Sequence, residues 1–240
     1  MKFDDTFSLN EIAPKIFHVS VGKKDAYELA MLFLRYQEYY ESDSKLYRNV
    51  PNVDILKYMN WYAKNRASKY GVFTYPVDWS GFNVPGRVFE ELFEENLLLD
   101  SPVCTSLDMK MYSIVNYIQT ILSERNGKDV DECYDFYLIG SKAASPATLK
   151  HELAHGLYYT TPEYKKEMLA VIKEMDKTVK ADFKKWLRSI GYCKEVLDDE
   201  IQAYFSTGLS ARYLNNIQAA KKETKPFESV FKKYAKQYIK

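Results

Sequence analysis

The chain has 240 residues, 46% of them hydrophobic and 28% charged, with a formal net charge of +1. That length and mixture can bury a real core and exclude a disordered chain, and the near-zero charge supplies no broad positive field for nucleic acid or an anionic membrane. Cys104, Cys133 and Cys193 are far apart and form no CxxC pair, so neither a disulfide framework nor a four-cysteine zinc site is expected.

The opening MKFDDTFSLNEIAPK has no long apolar core after its basic residue, unlike a secretory signal. No apolar run reaches the roughly 18 residues of a membrane span. A soluble, cytoplasmic protein with reduced cysteines is expected.

In chain order, a short strand is expected over Lys15 to Val21, then a helix over Lys24 to Tyr40 with Leu29, Leu32, Leu34 and Tyr36 crowding one face. A second helix fits Val53 to Ala67. The segment YPVDWSGFNVPGR, Tyr75 to Arg87, is rich in Pro, Gly and Trp and reads as a long ordered loop. Helices follow over Arg87 to Leu98 and Leu107 to Arg125, the latter ending near Gly127. YDFYLIG, Tyr134 to Gly140, is the clearest strand in the chain. Ser145-Pro146 is a good helix start and places a helix over Pro146 to Tyr159. Thr160-Thr161-Pro162-Glu163 resets the chain. The apolar series Met168, Ile172, Met175, Val179, Phe183, Trp186 and Ile190 then predicts one long helix up to Gly191. A helix fits Val196 to Thr207. The end, PFESVFKKYAKQYIK, reads as a basic amphipathic helix docked by Phe227, Val230 and Phe231.

Chemistry concentrates in LKHELAHGLYY, Leu149 to Tyr159. Residues four apart share a helix face, so His151 and His155 can aim both imidazoles at one ion. Glu152 sits one residue round and can take a proton from water held there. H-E-x-x-H on a helix is a metallohydrolase signature for this reason. Two histidines make a weak site and a third ligand is needed. A third histidine six residues after His155 is ruled out, because that position is Thr161. His18, in IFHVS, reads as a core or surface histidine. A carboxylate is therefore expected, and GYCKEVLDDEIQAYFSTGL points to Glu200. Its helical neighbours Val196, Leu197, Ala203, Tyr204 and Thr207 make burial without a partner costly. Asp199 is the runner-up and Glu195 a distant third. Nothing supports a phosphate-binding loop, a G-x-S-x-G elbow or a Cys–His nucleophile.

HELAH followed by a helical glutamate resembles the gluzincin class of HExxH zinc metallopeptidases. The resemblance implies a sheet-plus-helix lobe carrying the histidines, a helical lobe carrying the glutamate, zinc between them, and substrate along the edge strand before the active-site helix, the place that YDFYLIG fits. Over about Tyr134 to Leu209 the chain is also similar, more distantly, to the lethal-factor-like and Pro-Pro endopeptidase-like group. That group implies a tyrosine about two turns before the glutamate ligand to help hold the oxyanion. Tyr192 precedes Glu200 by eight residues, one more than the pattern; Tyr204, Arg212 and Tyr213 are alternatives.

The expectation is thus an α+β, mostly helical, zincin-like fold with a small sheet, an active-site helix and a helical C-terminal lobe. Residues 1–105 form a mostly helical N-terminal part of the same globule and 106–240 the catalytic part. The expected function is a zinc metallopeptidase acting on a peptide or protein, with metal ligands His151, His155 and Glu200 and catalytic Glu152 and Tyr192. The alternative is a catalytically silent zincin-like binding or regulatory protein.

Overall fold

Alternation along short segments builds a four-stranded sheet of order β1-β2-β4-β3. The structure, a computed structural model, describes residues 6–22, 25–93, 97–142, 145–208 and 220–238. Strand β1 (Phe7–Ala13) pairs antiparallel with β2 (Ile16–Val21) through a tight turn in which Lys15 takes φ 63°. The sequence reading missed β1, whose only inward residues are spaced among polar ones. Strand β4 (Tyr137–Lys142) runs parallel to β2, and β3 (Gly81–Pro85) runs antiparallel on its other side.

This order corrects the sequence expectation at one place that matters. The YDFYLIG segment supplies an interior strand, buried on both faces, and not the edge. The edge strand beside the helix that carries His151 and His155 is β3, inside the segment read as a loop. Its proline sits at the end of an edge strand, where a missing N–H is tolerated. Phe82 and Val84 point into one core while Gly81 and Asn83 face the opposite helix layer. The same segment also folds one helical turn, α3 (Tyr75–Asp78).

Helices cover both faces. On one lie α1 (Ala26–Glu41), α2 (Ile55–Asn65), α4 (Gly86–Phe93) and α5 (Ser106–Asn126). Asp54 caps α2, a Thr105–Asp108 capping box starts α5, and Gly127 ends it at φ 64°. The buried Arg35 guanidinium on α1 grips the Asp108 carboxylate with Nε and Nη2 at 2.8 and 3.1 Å, and also donates to the Val53 and Val103 carbonyls. On the other face lie α6 (Pro146–Thr160), α7 (Pro162–Glu174), α8 (Lys177–Ser189), α9 (Leu197–Thr207) and α10 (Ala220–Ala235).

The single long helix expected up to Gly191 is two helices. The apolar period continues across the break because α7 and α8 bury into one core, but the Asp176 side chain accepts from Thr178 and Val179 N–H, both at 2.9 Å, and starts a new helix. The terminal helix begins earlier than its proline suggested, at Ala220, with Pro226 inside it; Phe227 and Phe231 are buried and Val230 partly so. Three of the four strands lie before residue 106, and both parts of the chain contribute to one sheet. Among the described residues, no helix is long and apolar enough to cross a membrane.

Gly140 on β4 sets how closely α1 lies on the sheet. A Cβ there would come 2.6 Å from the Phe33 ring. Gly140→Ala is expected to destabilise the fold by about 1–3 kcal/mol through overpacking, measured as a lower urea midpoint with unchanged slope.

Candidate metal centre

The site is assembled where α6 crosses the sheet and α9 packs on α6. Gly156 lets α6 sit close: a Cβ there would lie 2.8 Å from the Ile16 side chain. Ala154 on α6 and Ala203 on α9 are both fully buried, which keeps the two helices near each other. Asp198, Asp199 and Glu200 fall in the first turn of α9, where the helix dipole favours carboxylates.

The helical spacing brings His151 and His155 together with their Nε2 atoms 3.3 Å apart. Glu200 Oε1 lies 3.6 Å from His155 Nε2, and one donor atom from each of the three residues lies within 4.8 Å of the others. Zinc with nitrogen and oxygen ligands at about 2.0–2.1 Å in a tetrahedron puts its ligands roughly 3.3 Å apart. The donor set matches zinc in identity, and the two separations of 3.3 and 3.6 Å lie near the tetrahedral value. Glu200 is 1% exposed, and its Oε2 has no hydrogen-bond partner. A buried, unpartnered carboxylate oxygen is costly unless a cation takes it.

The outer ring nitrogens decide what the inner ones present. Thr207 Oγ1 donates to the Ala203 carbonyl at 2.7 Å, so at 3.2 Å it is an acceptor for His151 Nδ1–H. His155 Nδ1 lies 3.0 Å from Asp199 Oδ1, off the line of a hydrogen bond but beside a negative charge that favours N–H there. Asp199 is itself held: Gln202 Nε2 donates to it at 2.9 Å, and Tyr164 donates to Gln202 at 2.7 Å. Both Nε2 atoms then face each other with lone pairs and need a positive charge between them. A proton on His155 is one such charge. Burial works against it, but Asp199 and Glu200 outweigh burial and hold that ring well above the usual histidine range. Burial, and then the charge of His155, push His151 well below it. A metal ion is the other charge that fits.

Glu152 is 4% exposed and faces the same cleft. Asn83 of β3 donates to its Oε2 at 3.1 Å, and Tyr137 donates to the Asn83 carbonyl at 2.6 Å, which fixes the amide's orientation. Burial raises Glu152 to about 7, against the opposing pull of His155 and Asn83. Burial raises Glu200 to about 8, with His155 opposing and Asp199 adding to it. Tyr192 hydrogen-bonds to Glu200, and burial pushes its hydroxyl well above the usual tyrosine range. The Tyr204 ring stacks edge-on against His151, with centroids 4.6 Å apart.

Of the sequence candidates, His151, His155 and Glu200 converge. Asp199 supports His155 from behind and does not join the three donors. Glu195 is exposed and pairs with Arg48 at 3.3 Å. His18 is buried on β2 with Ser141 Oγ at 2.8 Å, remote in role from the centre. Tyr192 and Tyr204 both line the cleft; Arg212 and Tyr213 lie outside the described residues. Sequence reasoning did not single out Asn83, Glu38 or Glu41. Asn83 sat in the presumed loop, and the two glutamates sat on the polar side of a helix read only for its apolar stripe.

The centre opens into a cleft of about 590 Å³ that runs between β3, α8 and the polar face of α1. Gln37, Glu38 and Glu41 line it from α1. Comparison of the chain with protein-family models, with curated proteins and with solved structures gave no match.

Burial raises the Glu38 carboxyl from 4.5 to about 7, although Tyr58, Ser42 and Tyr75 hydrogen-bond it. The native state thus holds this proton more tightly than the unfolded chain, and stability is lost as pH rises from about 4.5 through 7. Glu38→Gln does not share that loss. The variant should match the parent near pH 4 and exceed it at pH 8 by on the order of 2 kcal/mol, read from paired urea unfolding curves.

Proposed function

We propose that this protein is a zinc-dependent metallopeptidase, with His151, His155 and Glu200 as metal ligands and Glu152 as general base. The observation that carries the reading is the two Nε2 atoms 3.3 Å apart beside a buried, unpartnered carboxylate oxygen, with a second carboxylate next to them in an open cleft. Three protein ligands of nitrogen and oxygen type, with the fourth side open, suit a catalytic rather than a structural zinc. Zinc bound there supplies a Lewis acid that acidifies water and polarises a carbonyl.

The chain's own groups do the rest. Glu152, with a carboxyl near 7, can accept a proton from water at neutral pH and return it to the leaving amine. Asn83 and Tyr137 hold that carboxylate in place from β4 through β3. Burial keeps the proton on Tyr192, and with a cation taking Glu200 its hydroxyl would be free to turn to an oxyanion in the cleft. Asp199, with Gln202 and Tyr164 behind it, orients His155 as outer carboxylates do in histidine metal sites.

A second reading, a zincin-like binding protein that does not cleave, draws on one observation. The Asn83 N–H on the outer side of β3 is already taken by Gln37 Oε1 at 3.0 Å. A substrate strand pairing along β3 would have to replace that bond.

Three measurements test the leading reading. The purified protein reconstituted with zinc should hold one ion per chain by mass spectrometry, and Glu200→Gln or His155→Ala should lose it. Glu152→Gln should keep the zinc and lower kcat on a cleaved peptide by roughly 10²–10⁴-fold; retained hydrolysis in that variant, or failure of the parent to bind zinc, overturns the proposal. Gly81→Ala, whose Cβ would sit 2.1 Å from Glu152 Oε1, should lower kcat while leaving zinc content intact.

A further inference from the structure

The cleft does not end at the metal centre. Beyond Trp79 and Tyr192 its far wall is a set of rings from α2 and α3: Tyr58, Trp61, Tyr62 and Tyr75. Tyr58 lies with ring centroids 5.8, 5.9 and 6.1 Å from Trp61, Tyr62 and Tyr75, and Tyr62 lies 5.2 Å from Tyr75. Glu38 of α1 forms the polar end of this chamber, with Tyr58, Ser42 and Tyr75 beside it.

The other charges of the chamber are committed. Asp43 holds Arg66 at 2.6 Å, and Arg66 in turn lies over the Trp61 ring at 5.9 Å. Asp78 accepts from Tyr62 at 3.0 Å and from Thr74 and Ser68. Among the described residues, no lysine or arginine forms an ion pair with Glu38 or Glu41. Glu41 lies three residues further along α1, about 4.5 Å along the helix axis, and burial raises its carboxyl too. Such a chamber suits a side chain with an apolar stem and a cationic head: the stem lies against Trp61, the half-buried ring of the four, and the head meets the carboxylate.

We propose that this chamber is the subsite for a lysine or arginine side chain of the peptide substrate, with Glu38 as its carboxylate partner and Tyr58, Trp61, Tyr62 and Tyr75 as its walls. The word substrate rests on the peptidase reading above; the recognition itself does not. Arg66, already paired with Asp43 at the rim, marks the guanidinium-on-indole contact that the ligand would repeat deeper in.

The test uses zinc-loaded Glu152→Gln protein, so that binding is read without turnover. Hexapeptides, N-acetylated and C-amidated so that the side chain is their only cation, carry one arginine or lysine at each position in turn. Each is matched to the peptide with norleucine there. Calorimetry should find a position at which the basic peptide binds roughly tenfold or more tightly than its norleucine match. Adding Glu38→Gln, or in a separate variant Trp61→Leu, should remove that difference. No basic preference at any position, or a preference that survives Glu38→Gln, overturns the subsite. The same peptides are then offered to the zinc-loaded parent. Glu38-dependent binding without cleavage keeps the subsite and removes the peptidase reading; cleavage that ignores the basic residue keeps the peptidase reading and removes the subsite.

Discussion

Two imidazole Nε2 atoms held 3.3 Å apart are the constraint around which this molecule is arranged. The arrangement is repulsive unless a positive charge stands between them. It persists because each ring is held from behind: His151 by Thr207, which spends its own proton on the Ala203 carbonyl, and His155 by Asp199. Both supports come from α9, the helix that also brings Glu200. One helix therefore supplies a donor and sets the tautomers of the other two, and α9 must lie close to α6 for any of this to hold. The small buried Ala154 and Ala203 and the tight seat of Gly156 on Ile16 serve that approach.

Helix α1 has two jobs on two faces. Phe33 packs over Gly140 and ties it to the sheet, while Arg35 anchors it to the start of α5. The opposite side carries Gln37, Glu38 and Glu41 along the cleft. Gln37 bridges the two roles: its Oε1 accepts from Asn83 N–H on β3 and its Nε2 donates to Glu41. The edge strand is thus neither bare nor sealed. A side chain stands where a neighbouring strand would bond, and a side-chain bond of this kind exchanges more readily than a strand pair, because it constrains few residues.

How much of this could be read in the sequence depended on range. His151, Glu152 and His155 were legible because their relation is local, set by helical spacing alone. Glu200 was legible because a carboxylate among Val196, Leu197 and Ala203 has to be partnered. The β1 and β3 strands were not: FSLNEIA carries a weak alternation, and GFNVP carries the composition of a turn. The strand nature of β3 comes from β4 beside it, not from its own residues. Misplacing β3 made β4 seem an edge and hid Asn83, whose only task lies across the sheet at Glu152. The division of α7 from α8 was hidden for the opposite reason, since the apolar period runs on through Met175 and Val179 while one aspartate cap restarts the helix.

Glu38 and Glu41 show where pattern reading fails most instructively. Polar residues on an amphipathic helix are ordinarily a solvated face, and a third of α1 would be so read. Here that face is turned to a cleft roofed by rings, where Glu38 is half-buried and Glu41 buried, and water stabilises the charge less. Burial drives both carboxyls upward, as it does Glu152 and Glu200. Four carboxyls along one cleft cannot all ionise cheaply without cations to meet them. The histidine centre accounts for the demand at Glu200 and Glu152. Glu38 lies three residues from Glu41 along α1, toward the tyrosine chamber. Two groups of buried carboxyls, one at the crossing of α6 and α9 and one toward the aromatic end of α1, follow from a single acidic cleft built on two helices and one short strand.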